Sequence, residues 1–236
     1  MPDSLTSDTP AWLPAVREAA RESALRNDRK RQGWPEDDPR VPPFAYRWEH
    51  VQQVARNGLW LLEHLSADHD VVLAACWLHD VKKGEHEHAR AGADFARAFL
   101  PTIGFPPEKV EGVAGAIARH EGLWRASKEW ERDQNLPFRP APPIEPIEAA
   151  ILWDADKLAK VGPVAFIHFL PGYIRGREER GEAATTEAIL TRNRDWLETI
   201  TPRTIASFNT VAAQRRAMQL HAAHELFWRT AEEAVR

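Results

Sequence analysis

Residues 70–84 read DVVLAACWLHDVKKG and contain the longest uninterrupted apolar run of the chain. The run, Val71 to Leu78, has eight residues, far fewer than the roughly 18 of a membrane-spanning helix. His79 and Asp80 follow directly, so an imidazole and a carboxylate emerge together at the end of a helix that should be buried. Because an unpaired carboxylate in such a place is costly, this His-Asp pair is a candidate site.

The rest of the chain is predicted to be helical, and the fold class all-α, because apolar residues recur at spacings of three and four rather than two. Asp70 is the expected N-cap of the helix through the apolar run. Pro163 is expected to kink or end a helix, and Thr201 with Pro202 to begin a long final one. Other helices are expected over about 11–31, 51–66, 88–100, 108–121, 147–161 and 185–200.

Proline and glycine positions suggest the organisation of the chain. Residues 1–43 are predicted to be a lead helix with a proline-rich linker, and residues 44–165 a core. Within the core, residues 123–146 form a proline-rich excursion or lid flanked by tryptophans, for which packing is favoured over stacking on a base. Residues 166–236 are predicted to be a C-terminal helical extension packed on the core, and its helices from Thr185 onward are expected to cap the site or to form a homodimer face.

Composition excludes several classes of protein. The chain has 236 residues, 43% of them apolar and 28% charged, and a formal net charge of −4. Such a chain is typical of globular proteins and lacks the basic surface of a nucleic-acid binder. A single cysteine, Cys76, rules out an intrachain disulfide framework. With no signal peptide and no membrane span visible, a cytoplasmic location is expected.

Three histidines lie where apolar residues are expected. His50 is in helical phase with Val54 and Leu61, His120 with Ile117, and His79 closes the apolar run. Asp154 and Asp156 follow another apolar turn. Histidines and carboxylates converging from several helices suit a divalent transition metal such as Mn, Fe, Co, Ni or Zn, although core histidines bonded to these carboxylates are the alternative. A second His-Asp pair, His69-Asp70, lies in a polar connection and needs no such explanation.

The order of these residues resembles the HD-domain superfamily of metal-dependent phosphohydrolases. The stretches RWEHVQQVA around His50, AACWLHDVKKG around His79 and Asp80, and AILWDADKLAKVG around Asp156 resemble three of its motifs. The resemblance covers about residues 44–162 and implies an HD-type helical bundle. It also implies that His50, His79, Asp80 and Asp156 hold one metal ion.

The resemblance also decides between two neighbouring aspartates. Helical phase alone leaves Asp154 and Asp156 open as the last ligand, whereas the family's ligand precedes a basic residue and a leucine, as Asp156 does. Asp154 would then orient a histidine or a water molecule.

Further residues match family branches that hold two metal ions. HARAGADFA at His88 and AIARHEG at His120 imply a second ion, with Asp80 bridging; a solvated helix terminus is the alternative for His88. Lys83 matches the HD-x-x-K variants, in which the lysine lies near the substrate phosphate. Arg47 is a second phosphate-binding candidate, with a surface role as its alternative.

These observations predict a metal-dependent phosphohydrolase, a phosphomonoesterase or phosphodiesterase, with Asp80 and Lys83 in catalytic roles. Its expected substrate is a nucleotide or another small phosphorylated metabolite, because the acidic chain disfavours nucleic-acid polymers. One metal ion is expected and two remain open. The alternatives are a non-hydrolytic metal- or nucleotide-binding protein and an HD-type di-iron oxygenase.

Overall fold

The computed structural model describes residues 9–235. They form eleven α-helices, with 3₁₀ turns at 100–103 and 107–109 and a π-helical turn at 196–200. Since no β-strand occurs among these residues, the all-α prediction is confirmed. The helices are α1 (Leu13–Arg31), α2 (Tyr46–Leu62), α3 (His69–Leu78), α4 (His88–Phe99), α5 (Val110–Ile117), α6 (Lys128–Arg132), α7 (Ile147–Leu158), α8 (Pro163–Glu179), α9 (Thr186–Asp195), α10 (Thr201–Ala206) and α11 (Val211–Ala234).

The chain divides into two compact units. The first contains the described residues up to 121 together with 145–152, and the second contains 122–144 and 153–235. Helix α7 contributes to both. None of the helices within residues 9–235 has the length and the apolar content that a membrane span requires.

The core of the first unit is built around α3. This helix packs against α1, α2 and α5, and every residue from 71 to 78 except Leu73 is buried. Helices α2 and α3 lie close together at Gly58, where a Cβ atom would lie 2.6 Å from the Sγ atom of Cys76. Only glycine at position 58 permits this approach, which fixes the spacing of the two helices.

The start of α3 differs from the prediction by two residues. Asp68, not Asp70, is the N-cap, because its carboxylate accepts hydrogen bonds from the backbone N–H groups of Asp70 (3.0 Å) and Val71 (3.1 Å). The side chain of Asp70 lies 2.7 Å from the ammonium of Lys109, which also lies 3.0 Å from Oδ2 of Asp68.

Two predictions for the C-terminal region are wrong. Pro163 neither kinks nor ends a helix but is the first residue of α8, a position at which proline's fixed φ and missing N–H cost nothing. Thr201 and Pro202 begin the short helix α10, which ends at Ala206. The long final helix starts at Val211 instead, where the Thr210 hydroxyl caps it by accepting the N–H of Ala213.

Candidate metal centre

The ends of two buried helices place the central residues of the site. His50 lies one turn into α2 on its buried face and is 1% exposed. His79 directly follows α3 and is fully buried, and Asp80, next in the chain, is 6% exposed. The apolar face of each helix thus carries a polar side chain into the interior of the first unit.

Asp80 has one pair of histidines at each of its carboxylate oxygens. Oδ2 lies 3.9 Å from Nε2 of His50 and 3.7 Å from Nε2 of His79. Oδ1 lies 3.6 Å from Nε2 of His88 and 3.5 Å from Nε2 of His120. We call His50, His79 and Asp80 the first ligand group, and Asp80, His88 and His120 the second; the ligand atoms of each lie within 4.8 Å of one another.

The outer nitrogens of two of these histidines contact main-chain carbonyl groups. Nδ1 of His79 lies 2.9 Å from the carbonyl oxygen of Cys76, and Nδ1 of His120 lies 2.7 Å from that of Ile117. A carbonyl only accepts, so each Nδ1 carries the proton, and in a neutral ring Nε2 keeps a lone pair. These lone pairs face a carboxylate oxygen of Asp80. Such a donor set suits a divalent cation, so the residues fit a metal ion.

The outer nitrogen of His88 contacts Glu121, a residue that the sequence analysis missed. Nδ1 of His88 lies 2.7 Å from Oε1 of Glu121, the arrangement in which a carboxylate orients a ligating histidine. Burial and the charge of Lys83 lower the pKa of His88, which favours the neutral ring. Glu121 follows His120 directly, so one short segment supplies both a candidate ligand and the carboxylate that contacts another candidate, His88.

Two cationic side chains also reach Asp80. Nη1 of Arg47 lies 3.2 Å from Oδ2, and Nζ of Lys83 lies 3.3 Å from Oδ1. Lys83 donates a hydrogen bond of 3.0 Å to Nε2 of His88. Both candidate phosphate-binding residues therefore lie beside the histidines.

The carboxyl of Asp80 is held in its ionised form. Burial by itself raises its pKa, but the basic side chains around the carboxyl, the ammonium of Lys83 among them, outweigh that effect and hold the pKa well below its ordinary value. An ionised carboxylate in an enclosed place can serve as a metal ligand without first losing a proton.

Helix α1, which precedes the matched motifs, forms hydrogen bonds to main-chain groups next to the two ligand groups. Asp28 accepts hydrogen bonds from the N–H groups of Arg47 (2.9 Å) and Trp48 (3.3 Å) and so replaces the side-chain cap that α2 lacks. Asn27 donates to the carbonyl oxygen of Lys83 at 2.8 Å, and Ser23 donates to that of Val81. Sequence reasoning missed this role because the contacts join residues 19 to 58 positions apart.

The two candidate aspartates of α7 belong to the second unit. Asp156 is 1% exposed and contacts the ammonium groups of Lys157 and Lys160; its place in the ligand set stays a prediction. Asp154 uses both oxygens to accept hydrogen bonds of 2.7–2.9 Å from Asn209 and Thr210. The expectation that Asp154 orients a histidine or a water molecule is therefore wrong: it fastens the segment before α11.

The excursion has a defined conformation. Asn209 Oδ1 accepts hydrogen bonds from Nη1 of Arg125 (2.7 Å) and from the N–H of Ile144 (2.8 Å), which joins the two ends of the segment. The guanidinium of Arg203 lies 5.5 Å from the ring centre of Trp124 and 5.2 Å from that of Trp130. Since Trp130 is also 5% exposed, it packs within the unit, as the favoured interpretation of the tryptophans predicts.

Comparisons with known proteins point the same way as the motifs. The model of the HD domain family matches residues 47–161. A curated relative, the bifunctional uridylyltransferase/uridylyl-removing enzyme of Bradyrhizobium diazoefficiens, is 37% identical over 79 residues. The aligned stretch covers 30% of this chain but only 8% of that enzyme.

Solved structures with a similar fold cover nearly the whole chain. An HD superfamily hydrolase from an uncultured Thermotogales bacterium is 23% identical, with a TM-score of 0.54 and coverage of 94% of this chain and 92% of that one. YpgQ from Bacillus subtilis is 17% identical, with a TM-score of 0.62 and coverage of 95% of each chain. The same protein in complex with ADP gives a TM-score of 0.61 at 17% identity, with 94% and 97% covered. At these identities the likeness shows the fold.

Proposed function

Since the chain is a member of the HD-domain superfamily, we propose that it is a metal-dependent phosphohydrolase. It cleaves a phosphate ester of a nucleotide or another small phosphorylated metabolite. In this proposal His50, His79, Asp80 and Asp156 hold a divalent transition metal ion, and His88 and His120 with Asp80 are the candidate ligands of a second.

One observation carries the proposal: each oxygen of the Asp80 carboxylate faces a pair of imidazole Nε2 atoms, at 3.5–3.9 Å. Three of the four imidazoles, those of His79, His88 and His120, contact an acceptor through Nδ1, so in their neutral form the Nε2 lone pairs point towards that carboxylate. Arg47 and Lys83 already bring positive charge to this carboxylate, and a divalent ion bound by the imidazole nitrogens would supply the further cation that a buried set of electron donors favours.

The chain's own residues supply two further elements of the chemistry. A bound divalent ion provides Lewis acidity and a water molecule of lowered pKa. Lys83 and Arg47, whose charged nitrogens lie 3.3 and 3.2 Å from the Asp80 carboxylate, are placed to bind phosphate oxygens and to stabilise negative charge that develops on them. Neither cation is fully buried, so both remain accessible to a substrate.

The substrate class is supported by indirect observations. The Bacillus subtilis protein of the same fold binds ADP, and the formal net charge of −4 disfavours a polyanionic polymer as substrate. A small phosphate ester with one or a few phosphate groups fits both observations.

The proposal is tested by metal analysis and hydrolysis with matched variants. Purified protein is stripped with a chelator, reloaded with Mn²⁺ and assayed with an aryl phosphate monoester, an aryl phosphate diester and ADP. We expect Asp80→Asn to lose the bound metal and to lower hydrolysis by at least about a hundredfold. Asp70→Asn, in the second His-Asp pair of the chain, should match the wild type in both measurements.

Three outcomes would contradict the proposal. If the wild type bound no transition metal under any loading condition, the histidines of the two ligand groups would have only a structural role. Bound metal and nucleotide without hydrolysis would identify a binding protein, and iron-dependent oxygen consumption would identify an oxygenase.

A further inference from the structure

A lysine ammonium lies within the second ligand group. Nζ of Lys83 is 3.0 Å from Nε2 of His88 and 3.3 Å from Oδ1 of Asp80. The lysine donates and the ring nitrogen accepts, so the lone pair of His88 that faces Asp80 is engaged. Glu121, at 2.7 Å from Nδ1 of His88, favours the tautomer that leaves this lone pair on Nε2.

The ammonium and a second metal ion compete for the same place. Nε2 of His88 and Oδ1 of Asp80 are 3.6 Å apart, and a bound ion would lie about 2.1 Å from each. From either side, such an ion would lie within about 4 Å of the ammonium nitrogen, a distance at which two cations in a part-buried site repel each other strongly. The single lone pair of His88 also cannot serve both.

The backbone that carries Lys83 is held in place. Asn27 donates a hydrogen bond of 2.8 Å to the carbonyl oxygen of Lys83, and the N–H of Lys83 donates one of 2.9 Å to the carbonyl oxygen of Asp80. Lys82, the adjacent lysine, is instead 3.2 Å from Glu85 in an exposed pair. Only one of the two neighbouring lysines therefore points into the cluster.

We propose that the ammonium of Lys83 is the second cation of this site and excludes a second metal ion. The enzyme then works with one ion, held through the first ligand group, and one lysine charge beside His88. This inference rests on the proposed function and decides the number of ions, which the ligand groups alone leave open.

The test counts bound ions and does not depend on activity. Metal-free protein is titrated with Mn²⁺ by equilibrium dialysis with elemental analysis, and the bound ions are examined by electron paramagnetic resonance. The wild type should bind one ion tightly and a second at least about tenfold more weakly. Lys83→Met keeps most of the side-chain length but removes its charge, so its second ion should bind at least about tenfold more tightly than in the wild type. The spectrum of an exchange-coupled ion pair should then appear.

Three further variants locate the effect. Lys82→Met removes one positive charge at the adjacent position and should behave as the wild type. Lys83→Gln should behave as Lys83→Met, and adding His88→Ala to Lys83→Met should abolish the gain in binding.

The contradicting outcomes separate this inference from the function on which it rests. Two ions of equal affinity in the wild type, or an unchanged second ion in both Lys83 variants with the first ion bound normally, would overturn the inference and leave the metal enzyme intact. The absence of any tightly bound ion from the wild type and all variants would overturn the proposed function, and the inference with it.

Discussion

The surroundings of two buried carboxylates, Asp80 in the first unit and Asp154 in the second, differ in kind. Asp154 accepts four hydrogen bonds of 2.7–2.9 Å from the main chain and side chains of Asn209 and Thr210. Asp80 is surrounded by six side-chain nitrogen atoms at 3.2–3.9 Å, four of them from histidines. One carboxylate is saturated by close neutral donors, and the other lies in a looser ring of basic nitrogens.

The pKa shifts of the two carboxyls follow this difference. Burial raises the pKa of Asp154 to about 6, because neutral donors only partly offset the loss of water. Burial acts on Asp80 as well, but the basic groups around it outweigh burial and lower its pKa. Burial alone therefore does not distinguish a structural aspartate from a candidate ligand, whereas the type and distance of the partners do.

The largest expected effect on stability comes from Asp154→Asn, which exchanges the carboxylate of Asp154 for an amide. This variant tests whether Asp154 is structural and so differs from Asp80. Asp154→Asn places an N–H₂ group against donors of Thr210 or Asn209, which should lower the free energy of unfolding by about 2–3 kcal/mol. The folded variant should keep its bound Mn²⁺. Urea denaturation and elemental analysis measure the two effects. If folded Asp154→Asn lost its metal, the distinction between the two carboxylates would be wrong.

Asp28 is a third buried aspartate and belongs with Asp154, because its partners include backbone N–H groups. Asp28→Ala should cost about 1–2 kcal/mol of stability, as the loss of a helix cap does. Since the helix end that it holds carries Arg47, KM for an aryl phosphate should rise more than kcat falls. Asp37→Ala, at an exposed position in the linker, is the control. Unchanged stability and KM in Asp28→Ala would show that α1 does not support the site.

An effect of similar size, seen only when the pH is lowered, extends the comparison to a buried imidazole. His224 packs near Phe166 and Trp228, and burial together with the charge of His221 lowers its pKa to about 4. Between about pH 6.5 and pH 4, His224 binds a proton in the unfolded chain but not in the folded chain. The folded protein is therefore most stable, as far as this group is concerned, above pH 6.5, and it loses stability as the pH falls. This group should lower the free energy of unfolding by about 1–2 kcal/mol between pH 7 and pH 5.

The pH dependence is measured by urea denaturation of the wild type and of His224→Phe, which removes the titrating group and keeps an aromatic ring. The difference between the two proteins should grow as the pH is lowered. Parallel curves would mean that His224 is protonated as readily in the folded protein as in the unfolded chain.

Local periodicity predicted the parts of this structure that depend on local interactions. The all-α class, most helix positions and the inward direction of His50, His79 and His120 all follow from spacing along one helix. The α3 cap was misplaced because two aspartates, Asp68 and Asp70, stand almost equally well before the apolar run, and only the structure shows that Asp68 accepts the backbone N–H groups at the helix start.

The remaining features depend on partners that are distant in sequence. Helical phase could not choose between the two aspartates of α7, whereas the hydrogen bonds of Asp154 to residues 55 and 56 positions away give it a structural role. The cap that Asp28 provides for α2 is likewise invisible to local patterns. For Glu121 the sequence offered one indication, its position next to the candidate ligand His120. Its role beside the site becomes visible only through its contact with His88.

The close approach of Gly58 to Cys76 makes the side chains that these two positions can hold depend on each other. A methyl group at position 58 would lie 2.6 Å from the Cys76 sulfur, so a larger residue at 58 demands a smaller one at 76 in the same lineage. A larger residue at position 58 alone would push α2, which carries His50, away from α3, which leads into His79. We therefore expect substitutions at the two positions to be coupled, and the effect extends to the first ligand group, because the carbonyl oxygen of Cys76 lies 2.9 Å from Nδ1 of His79.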